Sequence, residues 1–405
     1  MTIKVGLIGK TNTGKTTLFN SATLLNAEIS TYPFTTKQPN AGTAYVQTLC
    51  VCRELGVKDN PRNSACIDGW RFIPIELIDL PGLIKDAWMG KGLGNQFLSV
   101  AVQSNVLLHV VDASGSVDAE GKLSKPGTGD PVQDVYDVEE EMIKWFSKIL
   151  EGNRKRIIKR LQASKLSLDW VLYKTLAGLA VKREDITTAL KSTQLSTKNF
   201  EKWTAEDLKA FVWEIRKLSK PTIIVANKMD LPYAEENYQR LVEEFKGVLV
   251  VPCCAEAELA LRRAEQRGFV SYIPGEETFR VLDETKLSPQ QLRALKYVDN
   301  RIFAKWMRTG VQFALNLAVF KLLRMNTVYP VDNAEKFSDK AGNVLPDALL
   351  VPYDATVYDL AKEIHTELAK TMIYAIDART GVRLPKDCVV KDRDIIKIVA
   401  VKERK

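Results

Sequence analysis

Gly9, Gly14, Lys15 and Thr16 satisfy the spacing G-x-x-x-x-G-K-[ST] within GKTNTGKTT. The run lies between an apolar stretch, Ile3 to Ile8, and a helix expected to begin near Lys15. Glycines let the backbone curl so that successive N–H groups face a phosphate, and the helix start adds its positive dipole end. Lys15 is placed to reach β and γ phosphates. Thr16 would set its hydroxyl on Mg2+, an ion bound largely through phosphates and waters with few protein ligands. Thr13 and Thr17 flank these positions and join Gly9, Asn12 and Gly14 in the nucleotide-binding set. Asp79 closes an apolar run and opens DLPG, where a carboxylate can hold Mg2+ through water and the Gly82 N–H can meet a γ-phosphate. Thr35 and Thr36, in YPFTTKQPN, stand between the two motifs. A loop threonine there closes on Mg2+ only while the γ-phosphate is present, with Thr36 favoured and Thr35 its rival. Lys15, Thr36 and Gly82 form the expected catalytic set.

A second chemistry appears at NKMD, Asn227 to Asp230. An aspartate accepts from both the guanine N1–H and its exocyclic amino group, donors that adenine lacks, so Asp230 is expected to select guanine. Asn227 can bond the base edge and the neighbouring loop, and the Lys228 stem can cover the base with its methylenes. In PCCAEAE the Ala255 N–H is expected at guanine O6, with Glu256 beside it.

Five apolar runs must bring these residues together: Ile3 to Ile8, Ile73 to Ile78, Val106 to Val111, Thr222 to Ala226 and Val248 to Val251. Each ends in polar or glycine-bearing residues, as buried parallel strands do. Ligands in open α/β sheets bind beyond the carboxyl ends of the strands, so the five tails should converge on one site. From Val132 to Lys217 the period turns helical, which predicts an insertion. The SGSVDAEGKLSKPGTGDP run before it has the composition of a linker or mobile loop. A second helical segment covers Ala257 to Leu323 with no readable role. Near the C-terminus, strand-like VYPV, ALLVP and IIKIVAV surround a helix from Val357 to about Leu368, with Thr356 and Asp359 as a capping box. The expected architecture is α/β: a P-loop NTPase G domain with a mostly parallel sheet (residues 1–130 and 218–260), a helical insertion (131–217), a helical segment (261–324) and a small α+β module (325–405).

The 405 residues carry a formal net charge of +8, which points to a polyanion partner such as RNA. Between Glu151 and Lys220 there are 16 Lys or Arg against 8 Asp or Glu, so this stretch carries +8, as much as the whole chain. Arg154, Lys155, Arg156, Lys159 and Arg160 cluster at its start, with Trp170, Tyr173, Phe200, Trp203 and Trp213 further along. These form either an RNA-docking surface with base-stacking platforms or a solvated face over an aromatic core. No apolar stretch is long enough to span a bilayer and MTIKVGLIGK has no signal-peptide flank, so cytoplasm without membrane contact is expected. The six cysteines are expected as free thiols. Cys50 and Cys52 could be half of a metal site, but without a second C-x-C pair they do not predict a structural zinc.

Taken together, the motifs resemble the Obg-like branch of translation-factor-related GTPases. YPFTTKQPNAG and DLPGLIKDAWMGKGLGNQFLSVAVQSNVLLHVVDAS carry the resemblance, and the insertion and terminal module look most like the YchF group. Residues from Met325 onward resemble the TGS module, a small β-grasp domain. The resemblance implies a GTP-binding, GTP-hydrolysing switch that uses Mg2+ and works with ribosomes. Many YchF proteins carry glutamate at the last base-motif position and prefer ATP; Asp230 here implies GTP. Leu83 stands where Ras-like proteins place a water-orienting glutamine, which implies slow turnover, and Gly90, Gly92 and Gly94 permit a loop that rearranges when the γ-phosphate is lost. Asn12 resembles the asparagine by which some of these GTPases bind K+; it can equally serve only the loop's backbone geometry. Two alternatives remain, a nucleotide-gated RNA- or ribosome-binding module with negligible turnover and an ATP-preferring YchF-like ATPase.

Overall fold

The computed structural model describes residues 2–25, 40–82, 103–164 and 166–401. All five apolar runs become strands: β1 (Lys4–Ile8), β4 (Trp70–Asp79), β5 (Val106–Asp112), β6 (Thr222–Asn227) and β7 (Val250–Pro252). Two further strands, β2 (Asn40–Leu49) and β3 (Ala65–Ile67), precede β4. The chain divides into two compact units, Met1–Ile3, Thr43–Glu76 and Leu315–Lys405 forming one, Lys4–Gly42 and Leu77–Ala314 the other. Residues 43–76 thus pack with residues 315–405 in the smaller unit.

In the larger unit β1 lies beside β5, followed by β6 and β7. The β1–β5, β5–β6 and β6–β7 pairs are parallel, and Asp112 stands opposite Asn227 at the carboxyl edge. Helix α1 (Lys15–Thr23) starts directly after the first glycine-rich loop, with Gly14 as its cap. The insertion is all helical: α3 (Pro131–Gly152), α4 (Arg154–Ala163), α5 (Leu168–Leu176), α6 (Arg183–Ser192) and α7 (Ala205–Ser219), after the short α2 (Val51–Leu55) of the other unit. Phe146, Leu172, Phe200, Trp203 and Phe211 make a core of its own. Phe200 and Trp203 are buried there, so as base-stacking platforms they are ruled out by packing. Helices α8 (Ala234–Glu244) and α9 (Ala255–Gln266), the hairpin β8 (Val270–Ser271) and β9 (Arg280–Val281), and α10 (Pro289–Val298) complete this unit's main elements.

The Gly/Ser/Asp/Pro run after β5 is not a linker. Its backbone folds back on itself, with Ser124 N–H donating to Ser116 O, Gly127 N–H to Ser114 O and Gly129 N–H to Gly115 O at 2.8–2.9 Å. Small polar composition signals only that the chain can turn sharply; the hydrogen bonds make it compact.

The smaller unit holds a five-stranded mixed sheet in the order β11 (Leu349–Pro352), β10 (Met325–Pro330), β14 (Asp394–Ala400), β12 (Met372–Asp377), β13 (Arg383–Leu384). Strand β10 runs parallel to β14 and antiparallel to β11. Helix α11 (Val357–Ile364) packs Leu360 and Ala361 onto Val328 and Ile396. Its start is the expected capping box, Asp359 N–H donating to Thr356 Oγ1 at 3.2 Å. It ends at Ile364, earlier than expected, because His365 leaves helical geometry and caps α12 (Thr366–Thr371) through Nδ1. No described helix is long and apolar enough to cross a membrane.

Candidate nucleotide-binding site

Lys15 is buried at the mouth of the glycine-rich loop, its ammonium donating to Gly9 O at 3.1 Å and to Lys10 O. Burial lowers its pKa to about 8, while Asp79 pulls the other way. The Thr16 hydroxyl donates to Asp79 Oδ2 at 2.7 Å. Asp79 is fully buried and its Oδ1 has no hydrogen-bond partner among the described residues. Burial raises its carboxyl, against Lys15 and Thr16. A hydroxyl beside a half-satisfied carboxylate is the oxygen donor set Mg2+ takes, so the residues fit that ion. Thr13 Oγ1 bonds back to Lys10 O at 3.1 Å, and Thr17 lies in the first turn of α1.

Lys10 is buried beneath the loop against Asp134 and Asp137 of α3, at 2.7 and 2.6 Å. Burial would lower the Lys10 pKa, but hydrogen bonds to both carboxylates raise it on balance. Burial lifts the Asp134 carboxyl to about 6 against the pull of Lys10.

Asn227 spans the two halves of the site. Its amide nitrogen donates to Thr13 O at 2.9 Å, and its amide oxygen accepts from the Ala255 N–H at 3.0 Å. The Ala255 N–H, expected at guanine O6, is therefore held by Asn227; Glu256 follows it in the first turn of α9. Gly14, at φ +97°, passes so close that a Cβ would sit 2.2 Å from Asn227 Nδ2. Lys228 donates to Asp112 Oδ2 at 2.8 Å and Ser116 Oγ at 3.2 Å, which ties the base motif to the end of β5. Asp230 Oδ1 accepts from the Cys254 thiol at 3.2 Å. Gly82 approaches Thr11 so tightly that a Cβ would lie 2.8 Å from its backbone. Asn12 adopts φ +60° and donates from Nδ2 to Gly121 O at 2.9 Å. Thr35, Thr36, Leu83, Gly90, Gly92 and Gly94 lie outside the described residues.

Three family models match in chain order: the 50S ribosome-binding GTPase model over residues 4–158, the Obg-like GTPase YGR210-like, G4 motif-containing domain over 225–333, and the TGS domain over 341–400. The uncharacterized GTP-binding protein MJ1332 of Methanocaldococcus jannaschii is 47% identical over 396 residues, 98% of each chain. The chain belongs to the Obg-like GTP-binding proteins. A crystal structure of a GTP binding protein from Pyrococcus horikoshii OT3 superposes with TM-score 0.78 at 34% identity, covering 98% of this chain and 100% of that one. The ribosome-binding ATPase YchF of Bacillus subtilis is 31% identical over 280 residues, 66% of this chain and 70% of that protein.

In this Obg-like protein several site residues carry no motif. Thr11 Oγ1 and Asn12 both donate to Gly121 O at 2.9 Å, so the loop after β5 braces the phosphate loop. Asp112 organises that brace, accepting from Ser114 and Ser116 hydroxyls at 2.6 and 2.7 Å. The second helical segment supports the base motif: Tyr297 OH donates to Asp230 O at 3.1 Å, and Cys254 N–H to Thr309 O at 2.8 Å. Behind these, buried Glu258 accepts from Tyr272 OH and Thr309 Oγ1 at 2.7 and 2.5 Å. The one sequence signal for the brace was DASG, which ends β5 as the other motifs end their strands.

Proposed function

We propose that this chain is a GTP-hydrolysing switch that selects guanine through Asp230 and docks on ribosomal particles. The observation that carries the nucleotide reading is the Asn227 bridge, which fixes the phosphate loop and the base motif as one site. Asp230 keeps acceptor capacity beyond the Cys254 thiol for the two guanine donors. Lys15 would neutralise the transferred phosphoryl group, the Gly82 N–H would meet the γ-phosphate, and Thr36, with Thr35 as its rival, would close over it. Thr16 and Asp79 would hold Mg2+, which supplies charge neutralisation at the phosphate oxygens when bound. Leu83 offers no group to orient water, so intrinsic turnover is slow and rises with a partner. Asn12 would serve a K+ only through its amide oxygen, since its nitrogen bonds Gly121 O. Phosphate release from GTP and ATP, with and without ribosomes and in potassium against sodium buffer, tests this reading; ATP hydrolysed in preference to GTP would overturn it. That ATP-preferring reading is favoured by relatives named as ribosome-binding ATPases, the Bacillus subtilis protein among them.

The ribosome proposal rests on the matched 50S ribosome-binding model and on the charge of α4. Lys155, Arg156, Lys159 and Arg160 are all exposed on that helix, whereas Arg154 is tied inward to Trp203 O at 2.7 Å. Such a working place is the cytoplasm. Replacing the four exposed residues by glutamine should weaken co-sedimentation with ribosomes and flatten its salt dependence, because fewer counterions are released, and leave GTP affinity unchanged. An unaltered salt slope would move the docking surface elsewhere.

A further inference from the structure

The sequence between β2 and β4 scatters three cysteines and an aspartate over a short excursion: Cys50, Cys52, Asp59 and Cys66. The fold gathers them. Cys50 and Cys52 sit at the start of α2, Asp59 in the loop that follows and Cys66 on β3, and their four ligand atoms all lie within 4.8 Å of one another. We infer that Cys50, Cys52, Cys66 and Asp59 bind one zinc ion as a closed structural site.

The spacing of the atoms carries this. A tetrahedral zinc with sulfurs at about 2.3 Å holds any two of them about 3.8 Å apart, and a sulfur and a carboxylate oxygen about 3.5 Å apart. Cys52 Sγ and Cys66 Sγ are separated by 3.8 Å, and Cys50 Sγ and Asp59 Oδ2 by 3.3 Å. The donor set also selects the metal: three thiolates with one carboxylate suit zinc, and magnesium or calcium would need oxygen ligands throughout.

The surroundings match the charge that three thiolates and a carboxylate would leave around a divalent ion. Arg71, fully buried, donates to the same Asp59 oxygen, Oδ2, at 2.9 Å and so fixes that carboxylate beside the cysteines. Its other terminal nitrogen donates to Leu345 O, and its Nε has no hydrogen-bond partner among the described residues. Tyr329 is also fully buried, beside Cys50 and under the Arg71 guanidinium, and its hydroxyl has no hydrogen-bond partner among the described residues. An unpaired buried hydroxyl is costly, and a metal-bound thiolate at Cys50 would accept from it. The ion would pin the excursion where it meets the C-terminal module of the same unit, at the Asn60 N–H to Val344 O and Arg62 N–H to Pro346 O bonds of 2.8 Å.

The test uses the full chain, purified under reducing conditions from cells supplied with zinc. Elemental analysis should find close to one zinc per chain. Cobalt added to the metal-free chain should give tetrahedral ligand-field bands with thiolate-to-cobalt charge transfer. Cys66→Ser should lose the zinc, and Tyr329→Phe should weaken its affinity roughly 10-fold. Absence of retained zinc together with an octahedral cobalt spectrum overturns the proposal, as does a Cys52–Cys66 disulfide found by alkylation and mass analysis. If Cys66→Ser fails to fold, the cobalt spectrum of the unaltered chain decides alone.

Discussion

The loop after β1 and the loop after β5 are both rich in glycine and small polar residues, and both leave the carboxyl edge of adjacent parallel strands. In the first, the proposed function gives nearly every residue type a ligand to face: glycines for backbone approach, Lys15 for charge, Thr16 for a cation. The second answers to the first. Its Gly121 carbonyl takes the hydrogen bonds of Thr11 and Asn12, and Asp112 at its root holds Lys228. A motif whose residues face a ligand has a fixed spacing and can be recognised. A brace whose residues face another loop is constrained only in three dimensions, and its composition says no more than that it bends.

The largest effect should come from the ligand-facing loop. Lys15→Ala removes the charged partner of the phosphates and is expected to abolish GTP binding or hydrolysis, with secondary structure by circular dichroism unchanged. Full retained GTPase activity would refute the site. Asp230→Asn should cost guanine selection about 1 to 3 kcal/mol, the penalty for leaving donors unpaired, measured as competition between GTP and ATP. The brace is challenged by Gly121→Ala. Gly121 has φ +80° and a Cβ would lie 2.0 Å from Thr11 Oγ1. A left-handed non-glycine residue alone costs roughly 1 to 2 kcal/mol. GTP affinity should therefore fall by roughly 10-fold, and unchanged affinity would reduce the second loop to a mere cover.

The smallest and most diffuse effect concerns β5, the strand that carries the brace. His109 is buried there with neither ring nitrogen hydrogen-bonded among the described residues. Burial lowers its pKa from 6.5 to about 3, with Arg216, Lys15 and Lys10 adding to the shift. Because the folded pKa is depressed, the fold keeps the ring neutral. Its contribution to stability is complete above the ordinary value and lost as pH falls toward the folded one. His109→Leu should flatten the decline of unfolding free energy with acidification across that window. An identical slope in parent and variant would assign the decline to other groups.

Much of the architecture was legible because apolar runs ending in polar tails read as buried parallel strands, and because Thr356 and Asp359 announce a helix start. Strand β2 was not legible. NAGTAYVQTL alternates weakly and begins inside a stretch whose turn-forming residues dominate the local signal. The role of the second helical segment was hidden for a different reason. Tyr297 and Thr309 act on Asp230 and Cys254 through single long-range hydrogen bonds, which leave no periodic trace. The closeness of Cys66 to Cys52 was not legible, because the two meet only after β3 folds against β4.

The Asn227 bridge has an evolutionary corollary. One amide clips the phosphate loop to α9 without using the carboxylate three residues on, so the part proposed to grip a triphosphate and the part proposed to read the base can drift independently. Substitution at the Asp230 position can change which purine is accepted while the grip is inherited intact. A lineage built this way can contain members named for GTP and members named for ATP without rebuilding its scaffold.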